Sequence, residues 1–539
     1  MKSRRATAGL ALLLAAAIYL PRLGVPFMWD DRPYLVNVAE FDRPIPLAAY
    51  VSPSYFGWTG EATWRPLATL SFALGVRAFG RRPLPLRLCM LIIHLFNSAL
   101  LSLLVIGAGL GAEVGLAAAS LFLMHPVHIE TLMTVTFNKE ILSTFGILLM
   151  LLAHQRRRPL LASGGLVFAV LPKEAGIIGL ALAPLYDVTT GGWRELKTRW
   201  KDHALYCATA ALYLYARFGP MKGPAGSEAN LSAALPWTER LYYAAKGFVS
   251  SLRVLLFPWK LRIDYFALPA SSSFLYFFWL LAAAAFVVLA FFLARRAADK
   301  ERALSFFILW PLPALFLTSN LLPTAVLSLR LMAERWLYLP AAGFCVALAF
   351  VFRRRPAALF LVMMSWGVLG LLRSQDWASE PRLWESLVRV YPWSSKAREG
   401  LGDALFRAGR TEDAESSFQA ALEVRENRED LVLAHYVPYA PPGTIGWESA
   451  SLERGLGLCR LRLGDETGGE EYFVTSAELQ PGDVFTRRVL AYLSAKKGDF
   501  TAARSWLDQG FALDSHDSFL LKLKPDIERR RLTFQARFD

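Results

Sequence analysis

Long apolar runs separated by clusters of arginine occupy residues 1–373, and they restrict this part of the chain to a membrane-spanning fold. Of the 539 residues, 54% are hydrophobic and only 19% are charged, which is too apolar for an ordinary soluble protein. The net charge of +14 comes largely from arginine clusters between the apolar runs. Orientation in a membrane explains these clusters better than nucleic-acid binding does.

The apolar runs predict about eleven membrane spans and two helices that lie along the membrane surface. The predicted spans are approximately 10–20, 86–106, 114–124, 141–154, 160–171, 175–188, 203–218, 274–293, 304–317, 336–352 and 357–372. The runs 64–79 and 241–257 are predicted to lie at the surface, because counting the first as a span would put the later arginine clusters outside. This topology places the N-terminus in the cytoplasm and residues 374–539 on the other side.

Two adjacent carboxylates, Asp30 and Asp31, follow the first apolar run at the predicted outer surface. Carboxylates are costly to desolvate at a membrane, so we interpret the pair as functional and predict that both residues are catalytic. Asp30 is predicted as the base, because it lies nearer the end of the first helix, and Asp31 is predicted to orient the second reactant. The alternative is that the pair merely caps a surface helix.

Further ionisable residues lie at the ends of apolar runs and face the same compartment in the predicted topology. They are Arg65, His125, His128, Glu130, Lys139, Glu140, Lys173, Glu174, Glu334 and Arg335. One such cluster alone is better explained by interfacial side chains, but several on one face favour a site. His125 and His128 have the spacing of a metal-binding turn. No cysteine or third histidine accompanies them, so we predict hydrogen-bonding roles and no metal.

Residues 374–539 are more polar and contain a predicted helical repeat. Gly402, Ala414, Phe418 and Ala421 follow the spacing of a tetratricopeptide (TPR) helix pair, and weaker copies cover 457–481 and 491–515. The segment 435–443 is too rich in proline for a helix and is predicted to form a loop. Stacked helix pairs form a concave surface that suits extended peptides, and a packing or dimerisation domain is the alternative.

Several short motifs occur in a fixed order along the chain. They are Trp29-Asp30-Asp31 with Asn37, Trp64-Arg65-Pro66-Leu67 with His94, His125-Pro126-Val127-His128-Ile129-Glu130, Lys173-Glu174, and Glu334-Arg335-Trp336-Leu337-Tyr338-Leu339-Pro340. Together with the repeats, these motifs resemble the transmembrane and TPR-containing O-mannosyltransferase (TMTC) family over nearly the whole chain. Asn138-Lys139 depart from the pattern, because small residues or arginine are more usual before Glu140.

The resemblance implies an all-α fold: a polytopic GT-C glycosyltransferase domain in residues 1–373 and a TPR domain in residues 374–539. It implies the inverting transfer of a sugar, expected to be mannose, from a polyprenyl-phosphate carrier to a Ser or Thr hydroxyl of an acceptor protein on the non-cytoplasmic face. The lipid-linked sugar is the expected donor, and no further cofactor is expected. The richness in Ala, Leu and Arg favours a bacterial inner membrane, which would make the TPR domain periplasmic.

Such a transfer needs a carboxylate that removes the acceptor proton and cations that hold the departing lipid phosphate. Arg65, Lys173 and Arg335 are the cations expected at the right depth, and Glu130, Glu140 and Glu174 would orient them or bind sugar hydroxyls. Three other functions stay open. They are transfer to a lipid or glycan, a non-enzymatic membrane scaffold, and a transporter, although a transporter would place its ionisable residues in mid-membrane.

Overall fold

The computed structural model describes residues 2–223, 235–266, 268, 272–299, 301–319, 321, 330–427, 430, 444–536 and 538. The predicted loop at 435–443 lies outside these residues. The chain divides into two compact units, Met1–Ser379 and Glu380–Asp539. Both units are helical, which confirms the predicted all-α class with an apolar unit followed by a helical-repeat unit.

The first unit is built from α-helices joined mostly by short turns. Its α-helices are Lys2–Tyr19, Leu47–Tyr50, Tyr55–Thr59, Pro66–Phe79, Pro83–Gly107, Ala112–Met124, Ile129–Met133, Asn138–Gln155, Pro159–Val170, Gly179–Thr198, Trp200–Phe218, Trp237–Leu256, Ser273–Ala298, Arg302–Leu309, Pro311–Phe316, Tyr338–Phe352 and Pro356–Asp376. Several begin at proline, whose fixed φ suits the first helical position and whose missing N–H costs nothing there.

Short helical turns and one small sheet connect these helices. The 3₁₀-helices are Leu20–Arg22, Ala39–Asp42, Pro126–His128, Val135–Phe137, Glu174–Ile178 and Glu334–Leu337, and Arg32–Val36 is a π-helix. The strands Tyr265–Phe266 and Arg330–Met332 pair in antiparallel fashion. Many of these irregular segments carry the ionisable residues that the sequence singled out, because such turns at helix ends let polar side chains leave the apolar surface.

Within the described residues, five helices are long and apolar enough to cross a membrane. They are Pro83–Gly107, Val135–Gln155, Ser273–Ala298, Glu334–Phe352 and Pro356–Asp376. Ala112–Met124 and Pro126–Met133 are together long and apolar enough to cross a membrane, but they are bent by 48° relative to each other. Shorter apolar helices cover Thr7–Arg22, Pro66–Phe79, Pro159–Val170 and Arg302–Phe316. The chain is a multi-pass membrane protein. The larger count of about eleven spans stays a prediction that relies on shorter helices.

Close packing joins two neighbouring helices of this unit, Asn138–Gln155 and Pro159–Val170. A Cβ atom on Gly146 would lie 2.5 Å from the backbone nitrogen of Ala169, and one on Gly165 would lie 2.6 Å from that of Met150. No larger residue fits at either position without moving a backbone, so glycine on each helix allows the close approach. One end of the Asn138–Gln155 helix lies at the predicted site, and its other end leads into the arginine-rich turn 156–158.

The second unit stacks helices in consecutive antiparallel pairs. Its helices are Glu380–Val388, Ser395–Arg407, Thr411–Glu426, Thr444–Arg462, Glu466–Leu479, Val484–Lys496, Phe500–Leu513 and Ser518–Glu528. Ala414 and Ala421 are fully buried, and a Cβ atom on Gly402 would lie 2.7 Å from the Phe418 ring. The small and aromatic residues therefore hold the first pair together as the repeat spacing predicts, which confirms a TPR-like array.

Candidate active site at the helix ends

The acidic pair follows a strained turn after the first helix. Trp29 has a φ of 51°, in the left-handed region that residues other than glycine rarely adopt. The amide of Asp31 donates a hydrogen bond to the Met28 carbonyl at 3.2 Å, and this contact closes the turn. Asp30 is half-buried whereas Asp31 is fully buried, so the two adjacent carboxylates have different surroundings.

Asp31 ties the turn to the start of a membrane span. Its Oδ1 accepts a hydrogen bond from the Thr136 amide at 2.9 Å, and the Arg87 Nη2 lies 3.9 Å from its Oδ2. Both side chains of the Asp31–Arg87 pair have an exposure of 0%. Burial raises the pKa of Asp31 to about 6, although Arg87 and the Thr136 amide oppose the rise. Asp31 is thus enclosed by protein, and its predicted role of orienting a second reactant stays a prediction.

The raised pKa of Asp31 predicts a pH-dependent stability. Because the folded-state pKa of about 6 exceeds the ordinary 3.8, the stabilisation is complete below about pH 4 and is lost as pH rises through 6. The change corresponds to roughly 3 kcal/mol. We expect the thermal midpoint of the wild type to fall relative to that of Asp31→Asn between pH 4 and pH 7. The exposed-site variant Glu423→Gln should track the wild type, and parallel pH profiles for Asp31→Asn would contradict this assignment.

Two crossed ion pairs form one side of the site. The Arg335 amide donates to Glu130 Oε2 at 2.9 Å, and the Arg335 guanidinium also pairs with Glu130 Oε1. Arg373 donates to Glu334 Oε2 at 3.2 Å, and the Glu334 carboxylate accepts from the Tyr265 hydroxyl at 3.2 Å. All four charged side chains of these pairs are buried. Such pairs fix the helix ends, because loss of either partner leaves a buried charge uncompensated.

A second group of ion pairs forms another part of the site. Arg65 makes a bidentate contact with Glu174, with Nε and Nη2 at 3.2 and 2.9 Å from its oxygens, and Lys173 pairs with Glu140. Arg65 and Lys173 are thus each paired with a carboxylate, as Arg335 is with Glu130. The predicted phosphate-binding role of these cations and the orienting role of the carboxylates stay predictions.

The Arg65–Glu174 pair predicts a structural cost that can be measured. We expect Arg65→Ala to lower the free energy of unfolding by about 2 kcal/mol, because Glu174 would lose its bidentate partner at a largely desolvated position. The Arg65→Ala, Glu174→Ala double variant should lose less than the sum of the two single variants, since neither charge is then left alone. Chemical denaturation in detergent measures this coupling, and additive losses would show that the pair contributes nothing.

Asp30 and Lys139 remain without such partners. Neither side chain forms a hydrogen bond or an ion pair with another residue that the structure describes. Asp30 lies within electrostatic range of both Lys139 and Arg335. The Phe137 ring brings these two cations together, with its centroid 4.4 Å from the Arg335 guanidinium carbon and 6.0 Å from Lys139 Nζ. An uncommitted carboxylate and an uncommitted ammonium thus face the same region.

Trp29 completes this arrangement from the other side. Its ring packs edge-on against Phe137 with 5.4 Å between centroids, and the Arg335 guanidinium lies 5.5 Å from the Trp29 ring centroid. The helix Asn138–Gln155 also begins here, and the free backbone N–H groups of its first turn favour an anion. A basic, partly enclosed region beside one carboxylate can bind an anionic group and accept a proton next to it.

The predicted histidines lie close together in the core of the first unit. His125 Nε2 is 3.0 Å from the Leu255 carbonyl, and its Nδ1 accepts from the Val127 amide at 3.2 Å, as its predicted hydrogen-bonding role requires. His128 differs from the prediction. Neither of its ring nitrogens has a hydrogen-bond partner in the described part of the chain, because the rings of Phe122 and Tyr338 pack against it at 4.6 Å. Its role here is packing.

Several residues of the site carried no clear sequence signal. Arg373 and Arg87 are single charges within apolar runs, and Asp264 stands alone between Ile263 and Tyr265. Asp264 is buried and accepts from Arg330 Nε at 2.9 Å, and Arg330 in turn lies over the Trp29 ring. A single arginine or aspartate interrupting an apolar run was the available clue, since such a charge needs a partner.

One cluster among the described residues has metal-binding composition, and it lies at the far end of the Asn138–Gln155 helix. His154, Asp187 and His203 place their ligand atoms within 4.8 Å of one another. Asp187 accepts from His154 Nε2 at 3.0 Å, from His203 Nε2 at 2.7 Å and from Arg199 Nη1 at 2.9 Å. The guanidinium of Arg199 already neutralises the carboxylate, and a divalent cation would be repelled by it.

The fold and the site define a class: a multi-pass membrane protein with paired and unpaired charges at its helix ends and a TPR-like unit after its last span. No family model matches the chain. Curated relatives do: the protein O-mannosyl-transferase Tmtc1 of Drosophila melanogaster is 26% identical over 80% of this chain and 63% of its own length. The protein O-mannosyl-transferase TMTC4 of Mus musculus is 26% identical over 71% of this chain and 62% of its own length.

A protein O-mannosyl-transferase of Caenorhabditis elegans is also 25% identical over 77% of this chain and 62% of its own length. These matches confirm the resemblance of this chain to the TMTC family. The chain spans less than two thirds of the length of these relatives. Among solved structures, the APC/C hetero-tetramer Cut9-Hcn1 aligns with 90% of this chain and 92% of its own at 13% identity, but the TM-score of 0.25 is too low to inform the fold.

Proposed function

We propose that the protein is an integral-membrane inverting glycosyltransferase that moves a sugar, expected to be mannose, from a polyprenyl-phosphate carrier to a Ser or Thr hydroxyl of an acceptor protein. The N-terminus would lie in the cytoplasm of a bacterial cell, and the reaction would take place on the outer face of the inner membrane. The names of the similar proteins support mannose and a protein acceptor.

One observation carries the proposal: Asp30 and Lys139 are uncommitted, and they share a region with Arg335. Within the described residues neither has a hydrogen-bond or ion-pair partner, while the neighbouring charged residues are all paired. These neighbours are Arg65, Lys173, Glu334 and Arg335. A buried or half-buried charge without a protein partner is costly to retain. A bound donor phosphate beside Lys139 and an acceptor hydroxyl beside Asp30 would supply the missing partners.

The proposed reaction uses these groups in a single displacement. Asp30 removes the proton of the acceptor hydroxyl while its oxygen forms a bond to the anomeric carbon of the sugar. The bond between that carbon and the phosphate oxygen breaks, and its electron pair leaves with the lipid phosphate. Lys139 and Arg335 stabilise the charge on this leaving group, so no general acid is needed. Attack on the face opposite the phosphate inverts the configuration.

A small cavity lies next to the Lys173–Glu140 ion pair. Its lining mixes polar residues, including Glu140, Lys173 and Thr318, with apolar residues such as Leu317 and Leu339. The second unit favours a protein acceptor, since TPR-like arrays bind extended peptides in other proteins.

The direct experiment incubates the purified full chain with a mannosyl phospholipid and candidate acceptor peptides that contain Ser and Thr. We expect an added hexose on a peptide hydroxyl, located by mass spectrometry, and no transfer from a nucleotide sugar. A hexose found on a lipid or glycan acceptor would keep the enzyme class and change the acceptor. Absence of transfer to every acceptor, with the donor lipid shown to bind, would favour the non-enzymatic scaffold.

A topological prediction accompanies this proposal. Single cysteines near Arg157, Lys197 and Arg354 should be protected from a membrane-impermeant thiol reagent in intact cells, whereas those near Asp31 and in the second unit should react. Glu130 is predicted on the same side as Asp31, but residues 121–138 are buried and do not suit labelling. The four native cysteines are replaced first, and labelling after permeabilisation controls for buried positions. Labelling near Arg157 from outside would overturn the proposed orientation of the site.

A further inference from the structure

The end of the Asn138–Gln155 helix opposite the site forms a second surface of unusual composition. It combines the turn Arg156–Arg158 with the junction between the helices Gly179–Thr198 and Trp200–Phe218. We call it the basic turn surface and define it by its exposed cations and tryptophans. They are Arg156, Arg158, Trp193, Arg194, Lys197, Trp200 and Lys201.

A buried network joins the two turns into one surface. Asp187 bonds His154 of one helix, and Arg199 of the junction donates to both Asp187 and the His154 carbonyl, at 2.9 and 2.8 Å. Outside this network, Arg157 bonds Glu195 at 2.7 Å. Three of these four contacts cross from one turn to the other, so the cations of both turns are held in a fixed arrangement.

The same contacts remove the local acids from the surface. Asp187 is buried, Glu195 is paired with Arg157, and Asp202 accepts from Arg199 Nε at 3.0 Å. The defining cations of the basic turn surface form no ion pair with any described residue. The positive charge of these cations is therefore not neutralised by ion pairs with described residues, and it would attract an anionic partner in full.

Exposed apolar side chains lie among these cations. Trp193 is 69% exposed and Trp200 is 62% exposed, and Leu160 and Leu161 after the arginine turn are 77% and 67% exposed. Tryptophan beside lysine and arginine is typical of a membrane interface, where the ring sits at the headgroup level. A soluble anionic partner such as a nucleic acid would leave the two leucines in water.

The position along the helix agrees with an interfacial location. The helical segment Val135–Gln155 is long and apolar enough to cross a membrane, and Lys139 lies near one end of it. The helix rises about 24 Å from Lys139 to Gln155 at about 1.5 Å per residue, which is most of the roughly 30 Å thickness of the hydrocarbon core. The basic turn surface therefore lies at the membrane face opposite the candidate site.

We propose that the basic turn surface binds the headgroups of acidic phospholipids in the membrane in which the protein resides. The cations pair with lipid phosphates, the tryptophan rings lie between the headgroups, and the two leucines enter the acyl region. The His154–Asp187–Arg199 network keeps the cations spaced for several headgroups at once. This binding is independent of the sugar-transfer reaction, which uses groups at the other end of the helix.

The test compares lipid retention by the purified full chain in mixed micelles that contain dioleoylphosphatidylglycerol or dioleoylphosphatidylcholine. Native mass spectrometry counts the lipids that stay bound to each protein molecule. We expect selective retention of phosphatidylglycerol, which high salt weakens. The Arg156→Gln, Arg158→Gln, Lys201→Gln triple variant should bind it about 100-fold more weakly, since each surface cation contributes roughly a five-fold factor.

A control variant that removes the same number of positive charges distinguishes binding at this surface from general electrostatic attraction of acidic lipids. Arg295→Gln, Arg354→Gln, Arg355→Gln removes three exposed cations that lie outside the basic turn surface, and it should retain clearly more phosphatidylglycerol than the first triple variant. The thermal midpoint of each variant reports folding. Equal loss in both triple variants, or equal retention of the two lipids by the wild type, would overturn the proposal.

Discussion

Replacing Asp30 by asparagine is expected to lower the rate of sugar transfer by about 10²–10⁴-fold and to leave folding and donor binding nearly unchanged. An amide keeps the shape of the carboxylate but cannot accept the proton of the attacking hydroxyl. Because Asp30 has no hydrogen-bond or ion-pair partner among the described residues, its replacement breaks no structural contact. Single-turnover measurement with a mannosyl phospholipid separates the chemical step from donor binding.

The neighbouring carboxylate provides the matched comparison. Asp31→Asn retains an oxygen that can accept from the Thr136 amide, and we expect it to alter the pH dependence of stability with a smaller loss of turnover. Asp30→Glu keeps a base at a shifted position and should recover part of the rate. Wild-type turnover in Asp30→Asn would rule out the proposed base, and equal losses in the two Asn variants would assign a shared role to the pair.

Lys139→Gln is expected to weaken productive use of the donor by about 10–100-fold, which is the range of a charge-assisted hydrogen bond to phosphate. The Lys139 ammonium has no hydrogen-bond partner in the described part of the chain, so its removal breaks no hydrogen bond to a carboxylate. The loss should appear in kcat/KM and should be smaller with a donor analogue whose phosphate carries less charge. Titration of donor and turnover assays measure both effects.

Two further variants test the role of charge in donor use. Lys139→Arg keeps the positive charge and should restore a large part of the activity. Lys173→Gln should instead lower thermal stability, because it leaves the paired Glu140 buried without its cation. If Lys139→Gln used the donor as well as the wild type, phosphate binding would have to be assigned to Arg335 alone.

The patterns along the chain predicted the architecture correctly, because each pattern repeats. Apolar runs long enough to cross a bilayer indicate membrane helices wherever they occur, and Gly402 with Phe418 indicates a repeat pair by spacing alone. Boundaries were less accurate. The span predicted from residue 141 includes a helical segment that begins at Val135, because Asn138, Lys139 and Glu140 continue the helix through polar side chains that local hydropathy excludes.

The sequence by itself identified most of the ionisable residues that interrupt the apolar runs, because a charge at a membrane is costly, although it did not single out Arg87, Arg373 or Asp264. Only the tertiary structure decided which of them are engaged. Asp30 and Asp31 have identical side chains and are adjacent in the sequence, yet Asp31 is fully buried beside Arg87 and the Thr136 amide, whereas Asp30 is half-buried. Likewise, Lys139 and Lys173 differ only in whether a carboxylate from another segment reaches them. Pairing between distant segments depends on helix packing, which residue type and local spacing do not encode.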